Sequence, residues 1–417
     1  MGTPRCEFAF STAALRGQLK WLLRNFQSHV MRPRRIGVPW YLWPMSAYTV
    51  CDPRGVVVII SPWNLCLMLA LEPLAGALLT GNSVVLKLSE ACQHQSRLLA
   101  KLLPRYVDRS CLRVVLGGPD VGKAVVGQLV DFVFYTGGPA AGAAIAASCG
   151  GRLIPFVLEL GGKSPVVVFP DADMTALARR VVQGRCLNAG QICVCGDYLV
   201  VVGDEVRRDE VVRAVASEIR RQYGPDPQQS EHFGRLVSRA HVDHVAGLLP
   251  RPEDAAQCSC RVAYGGRVDR ADKYVEPTLL TVGMEHAGTC RAMCGEIFGP
   301  VLPVVAVPDA AAAVRVIRGK DKPLQVYVFT SREENVSYVL RRTTSGGAAV
   351  NDVLMGAANL YAKFGTIGFG TYHGPHTFEC FGHTRPVNHS SALVDSEYRY
   401  PPKIATPAVQ RAFDWVF

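Results

Sequence analysis

The chain has 417 residues, of which 49% are apolar and 19% charged. That balance excludes a disordered chain and predicts more than one folded core. A formal charge of +10 suits nucleic acid or anionic lipid in principle. The basic residues are dispersed, however, and the densest knot is Arg32, Arg34 and Arg35 with no nucleic-acid-binding signature beside it. A solvated surface is the expectation, no nucleic-acid partner is expected, and a peripheral membrane contact stays compatible with the charge.

The fourteen cysteines are scattered through apolar runs and no secretory signal opens the chain, so reduced cytoplasmic thiols are expected. No C-x-x-C pair is present, and Cys258-Ser-Cys260 with His241-x-x-His244 lacks a matching partner, so no metal site is expected. Met1-Gly2 opens like a myristoylation signal, but Cys6 stands where Ser or Thr is required, and the carboxyl terminus is no prenylation box. The apolar run from Gly55 to Thr80 contains Pro62, Asn64, Glu72 and Pro73. A carboxylate at mid-bilayer costs roughly 2.5–3.5 kcal/mol, so a strand, a turn and a buried helix are predicted instead of a membrane span.

In chain order, a strand is expected over 55–60, a helix over 67–79 stopped by Gly81, a strand over 83–87, a helix over 96–103, and strands over 113–116 and 131–135. β-branched runs alternating with helices predict a parallel sheet with crossovers. A second such unit is expected to start with 156–159 and 165–169, followed by a helix over 173–186, a strand over 198–202 and a helix over 205–222. Residues 250–272 read as an exposed excursion, 326–329 as a buried strand, and the stretch from about Tyr361 shows weak periodicity.

Two phosphate-loop look-alikes fail on chemistry. Gly117 to Ala124 ends in Ala where a magnesium-binding hydroxyl is needed, and Pro119 removes a backbone donor. Gly162-Lys163-Ser164 ends correctly, but Val157 occupies the first glycine position. No G-x-G-x-x-G fingerprint occurs, although Tyr135-Thr-Gly-Gly-Pro-Ala-Ala-Gly142 could open a helix beneath a pyrophosphate.

A nucleophilic thiol needs access and backbone donors, and the Asn188-Ala-Gly-Gln191 turn ahead of Cys193 supplies both. Cys195 runs into the next strand; a buried structural role is open to either thiol. Glu159, at the end of a buried strand, is costly unless it has work or a partner. A raised pKa would suit it as a general base, and pairing with Lys163 is the alternative. Asn64 either donates to an oxyanion or caps the helix that follows.

Pro62-Trp-Asn64, Leu158-Glu-Leu-Gly-Gly-Lys-Ser-Pro165, Gly190-Gln-Ile-Cys193 and Glu296-Ile-Phe-Gly-Pro300 occur in that order. Together they resemble the aldehyde dehydrogenase superfamily. Phe134-Tyr-Thr-Gly137, Ser345-Gly-Gly347, Tyr372-His-Gly374 and Arg399-Tyr-Pro-Pro402 are similar to its class 3, and Asp108 to Pro119 is most similar to the B-type branch. The resemblance implies an α/β architecture: a Rossmann-like cofactor domain, an α/β catalytic domain and a small bridging sheet that makes a homodimer. The corresponding boundaries are 1–160 with bridging strands at about 33–55, then 161–357, then 358–417. It implies NAD- or NADP-dependent oxidation of medium- or long-chain aliphatic or aromatic aldehydes. Cys193 would be the nucleophile, Glu159 the base that activates water, and Asn64 an oxyanion donor. Lys87 and Glu90 would meet the adenosine ribose, Gly137 and Gly142 the pyrophosphate region, and Glu296 and Phe298 the nicotinamide ribose. The chain departs from that pattern at Leu65-Cys66, Glu72, Leu88, Gly295 and Tyr361 to Gly368, in a shortened amino-terminal segment, and in an insertion at 250–262. A folded relative with weak or no catalysis, acting by binding, is the second reading.

Overall fold

A computed structural model describes residues 2–251, 259–359, 364–365 and 369–416. Its first sheet holds five parallel strands, Val56–Ile60, Ser83–Lys87, Leu112–Val115, Phe132–Gly137 and Phe156–Leu160. The spatial order is third, second, first, fourth, fifth, so the chain reverses direction across the sheet between the first strand and the fourth. Val57, Val58 and Ile59 are fully buried, as a strand covered on both faces requires. Strand Phe156–Leu160 pairs with Phe132–Gly137 here, whereas the sequence reading started the second unit with it. Four residues, Gly161 to Ser164, then carry the chain into strand Pro165–Val168 of the other sheet, a distance in sequence too short for apolar patterning to mark as a change of sheet.

The second sheet has seven strands, six of them parallel, built on Pro165–Val168, Tyr198–Val202, Val301–Val307, Thr278–Val282, Gln325–Phe329 and Gly347–Val350. The seventh, Arg261–Tyr264, runs antiparallel to Thr278–Val282 at the edge. Part of the expected excursion at 250–272 is therefore sheet: Arg261, Val262 and Ala263 are exposed, which hid the strand from apolar patterning. Residues 252–258, most of the expected insertion, and most of Tyr361 to Gly368 lie outside the described residues.

Four of the helices start where a side chain caps them. Asp173, Asp204, Ser238 and Asp309 accept from Ala176, Arg207, His241 and Ala312 N–H groups, replacing bonds the first turn lacks. Gly117 and Gly118 connect strand Leu112–Val115 to helix Pro119–Val126. Helix Met68–Leu79 keeps Pro73 inside it, and a Cβ on its Gly76 would lie 2.3 Å from Thr377 Cγ2, so glycine lets helix His376–Phe381 pack against it.

A third sheet joins Arg34–Ile36, Ser46–Pro53 and Gly382–His389, with Gly382 opposite Pro53 and His389 opposite Ser46. Ahead of the bridging strands expected at about 33–55, the sequence predicts no element for the amino terminus. It forms a 22-residue helix, Arg5–Phe26, that buries Glu7, Leu15, Gln18 and Leu22. Its inward face mixes polar and apolar residues, which blurs the helical period. No helix among the described residues is long and apolar enough to cross a membrane.

Candidate active site

The thiol turn is built from backbone that few residues tolerate. Asn188 and Ala189 have φ of 51° and 52°, and Gly190 follows at 77°. A Cβ on Gly190 would lie 2.3 Å from the Gly299 carbonyl oxygen, so only glycine lets this turn touch the Glu296-to-Pro300 segment. Side chains hold the turn from several sides. Asn188 Nδ2 donates to the Asn64 carbonyl (3.0 Å), and Gln191 Nε2 donates to the Asn188 carbonyl (2.7 Å). Glu7 reaches in from the amino-terminal helix, where its Oε2 accepts from Asn188 N–H at 2.9 Å. Its burial raises its pKa to about 7. No sequence signal marks Glu7, because its partner lies 181 positions away.

Beyond the turn, Cys193, Glu159 and Asn64 line one cavity of about 350 Å³. Cys195 sits behind it in the core, 3% exposed. The Cys193 thiol is held neutral: burial first, then the Glu296 and Glu159 carboxylates, push its pKa well up. Burial, helped by the Glu72 charge, raises Glu159 to about 8, and its Oε1 has no hydrogen-bond partner among the described residues. Lys163 does not pair with it. Lys163 Nζ bonds instead to Asp197 Oδ2 at 2.6 Å and to the Ala292 and Gly295 carbonyls. Nor does Asn64 cap the helix. That helix begins at Met68 behind Leu67, and Asn64 Nδ2 donates to the Gln191 carbonyl at 3.0 Å. An amide nitrogen carries two hydrogens, so one donor is left for the cavity.

Asp197 is the counter-ion of a buried triad that the sequence reading missed. Arg185 Nη1 contacts its other oxygen at 2.8 Å, and Ile297 N–H donates to both oxygens at 3.3 Å. An acidic residue beside a buried strand was the signal that singled out Glu159, and Asp197 beside Tyr198 carries the same one. Through this triad the segment after Cys193 and the loop bearing Glu296 are fixed together.

The same cavity extends to Gly137, Gly138, Glu296 and Phe298. Glu296 is buried and raised to about 8, by burial first and then by the Asp197 charge. A Cβ on Gly161 would sit 2.0 Å from Glu296 Oε2, so the missing side chain makes room for this carboxylate. Phe298 is held at φ 51° with its ring edge-on to Trp63 (5.3 Å), and its carbonyl bonds His241 Nε2 at 2.8 Å. His241 had been weighed in the sequence only as a metal ligand; no group of three or more candidate ligands occurs among the described residues.

The cavity's far end lies at the C-terminal edge of the five-stranded sheet, where α/β proteins hold nucleotides. Lys87 ends one of those strands and bonds Glu90 at 2.6 Å, placing a donor and an acceptor side by side, as a ribose diol needs. Gly138 leads into the 12-residue helix Pro139–Gly150, whose first turn offers orphan N–H groups to an anion. Gly142 does not line the cavity. It is buried in that helix, and a Cβ there would lie 2.8 Å from Leu160 Cδ2, so it brings helix and strand together. Lys87 and Glu90 also lie outside the cavity lining, Glu90 on an adjoining groove shared with Trp63 and His241; Gly137, Glu296 and Phe298 line the cavity itself, and the set fits a dinucleotide laid from Lys87 to Glu296.

Comparison with known proteins gives the family and the fold. The model of the aldehyde dehydrogenase family matches residues 7–387. Aldehyde dehydrogenase family 3 member B1 of Bos taurus is 41% identical over 363 residues, covering 86% of this chain and 75% of the relative. The dimeric NADP-preferring aldehyde dehydrogenase of Rattus norvegicus is 35% identical, covering 86% and 77%. Among solved structures, substrate-bound Staphylococcus aureus AldH superposes with a TM-score of 0.92 at 31% identity, over 99% of this chain and 88% of that one. Fold, cavity and relatives converge, and the chain belongs to the aldehyde dehydrogenase family.

Proposed function

We infer that this protein oxidises aldehydes to carboxylic acids with NAD or NADP, through a covalent adduct on Cys193. The observation that carries this reading is the single cavity shared by Cys193, Glu159 and Asn64, continuous with Gly137 and Glu296. When bound, the nicotinamide supplies the acceptor for the hydride that the substrate carbon loses.

The chain's own residues supply the rest. Cys193 Sγ adds to the carbonyl carbon after giving up its proton, and the buried thiol makes that step dependent on a nearby base. Glu159 is suited to that proton. The remaining Asn64 N–H and the Cys193 backbone N–H stabilise the tetrahedral oxygen, where preorganised donors act most strongly. Glu159 releases that proton to solvent before the second half-reaction; once the adduct is at the thioester level it takes a proton from water as the hydroxide adds to the acyl carbon, and the acid leaves as the proton returns to Cys193 Sγ. Lys87 and Glu90 hold the adenosine ribose, the Gly137 turn the pyrophosphate, and Glu296 the nicotinamide ribose, with Phe298 beside it.

The substrate side is apolar. A second cavity of about 140 Å³ adjoins the first at Asn64, Leu65, Met68, Ile192 and Val194, and runs beneath Phe8, Phe10 and Ala14 of the amino-terminal helix. Such walls suit medium- or long-chain aliphatic or aromatic aldehydes. No observation favours a non-catalytic binding protein. The breaks between sheets support a cofactor unit over 1–160, a catalytic unit over 161–357 and a bridging carboxyl-terminal segment over 358–417. Exposed Ile36, Trp40 and Trp43 beside the three-stranded sheet support a homodimer formed across it.

The test is reduced-cofactor formation from a medium-chain aldehyde with NAD or NADP, by wild type and Cys193→Ala. Activity is expected to vanish in the variant and to persist in Cys195→Ala. Full activity of folded Cys193→Ala would refute the mechanism.

A further inference from the structure

Glu72 has no part in the mechanism above, yet it sits on the wall of the same cavity. It is 4% exposed and lies on the helix face that also carries Met68 and Leu69, four and three positions before it along the cavity. Around it the wall is apolar, with Phe134 and Tyr372. A carboxylate in such surroundings is costly unless it is bonded. His373 Nδ1 lies 2.9 Å from Glu72 Oε1, and the histidine is itself buried on a backbone with φ of 89°. The Tyr372 hydroxyl faces the same carboxylate, and the two groups still leave it capacity, since a carboxylate accepts about four hydrogen bonds. The cavity's ionisable lining is one-sided as well: its walls carry Glu72, Glu159 and Glu296 but no lysine or arginine.

We propose that Glu72, oriented by His373, is a specificity residue that accepts a hydrogen bond from a hydroxyl group on the tail of the aldehyde. The substrate class is then an aldehyde whose apolar body lies along Met68 and Leu69 within the first cavity and carries a hydrogen-bond donor beyond it, in place of a plain alkanal that runs on into the second cavity. An anionic tail is disfavoured beside Glu72, because the cavity lining holds no lysine or arginine to compensate. The inference rests on the oxidation proposed above, since it names the substrate of that site.

Two readouts test it, one of which needs no turnover. The first is calorimetric affinity for an α,ω-diol against the alkanol of the same length, in wild type, Glu72→Gln and Glu72→Leu. The second is kcat/KM for the ω-hydroxy aldehyde, the matched alkanal and the ω-carboxy aldehyde. Wild type is expected to prefer the hydroxyl tail and to reject the carboxylate tail. Because a hydrogen bond to a charged group is lost, Glu72→Leu is expected to cut the hydroxyl-to-methyl ratio by about tenfold to a hundredfold. Glu72→Gln, of nearly the same shape, guards against a folding defect and is expected to fall between. If Glu72 only clamps the helix to the Tyr372-His-Gly374 turn, stability drops while the ratio holds; an unchanged ratio in either assay overturns the proposal. A shifted affinity ratio in a protein that oxidises neither aldehyde would uphold the Glu72 site and overturn the oxidation instead.

Discussion

Asp197→Ala removes the one carboxylate between two buried cations. The side chains of Lys163, Arg185 and Asp197 are 3%, 3% and 2% exposed, so water cannot replace the lost partner. Lys163 would keep its two carbonyl contacts and Arg185 its bond to the Gly196 carbonyl at 3.2 Å, but neither would have a counter-ion. Breaking a buried pair by removing one partner costs about 3–5 kcal/mol, and the stranded Ile297 N–H adds about 1 kcal/mol. The assay is urea unfolding followed by intrinsic fluorescence, with the midpoint displacement converted through the wild-type slope. Because Ile297 lies between Glu296 and Phe298, the same variant is expected to raise KM for the cofactor well before it unfolds. Asp197→Asn, which retains an acceptor without the charge, is expected to lose less. A loss within about 1 kcal/mol for Asp197→Ala would mean that Asp197 is not the shared counter-ion, and the coupling of the thiol segment to the Glu296 loop would fall with it.

Two further outcomes follow from the buried carboxylates. Glu159 is raised to about 8, so it is protonated at neutral pH and gains its base form as pH rises through that value; hydrolysis of the acyl adduct is expected to climb along that limb, and Glu159→Gln to flatten it in pre-steady-state turnover. For stability the sign is opposite. Glu7 titrates near 4.5 unfolded and about 7 folded, so between those values the unfolded chain has lost the proton that the folded chain retains, and stability falls as pH rises across the window; Glu7→Gln is expected to remove that part of the decline in thermal unfolding measured from pH 4.5 to 7, and an unchanged slope would refute the assignment.

Much of the site was legible in the sequence because its chemistry is local. Cys193 follows a turn of small residues, Glu159 is a charge in an apolar strand, and Asn64 is an amide among apolar neighbours. The strands were legible for the same reason: Val56–Ile60 and Tyr198–Val202 are apolar throughout, as strands buried on both faces must be. The sequence by itself also determined the starts of the helices Met174–Cys186 and Glu205–Tyr223, since Asp173 and Asp204 sit where capping needs an acceptor.

Only the tertiary structure decided who meets whom. Lys163 is four residues from Glu159, yet it turns to Asp197, because the chain leaves one sheet for the other between them. Gly142 faces Leu160 and not a ligand, a matter of which side of its helix meets the sheet. Glu7 and His373 come from opposite ends of the chain to the turn beside Cys193 and to Glu72. Local pattern records what a residue can do and whether it is buried; partners brought together across hundreds of residues are fixed by packing, which leaves no periodic trace in the chain.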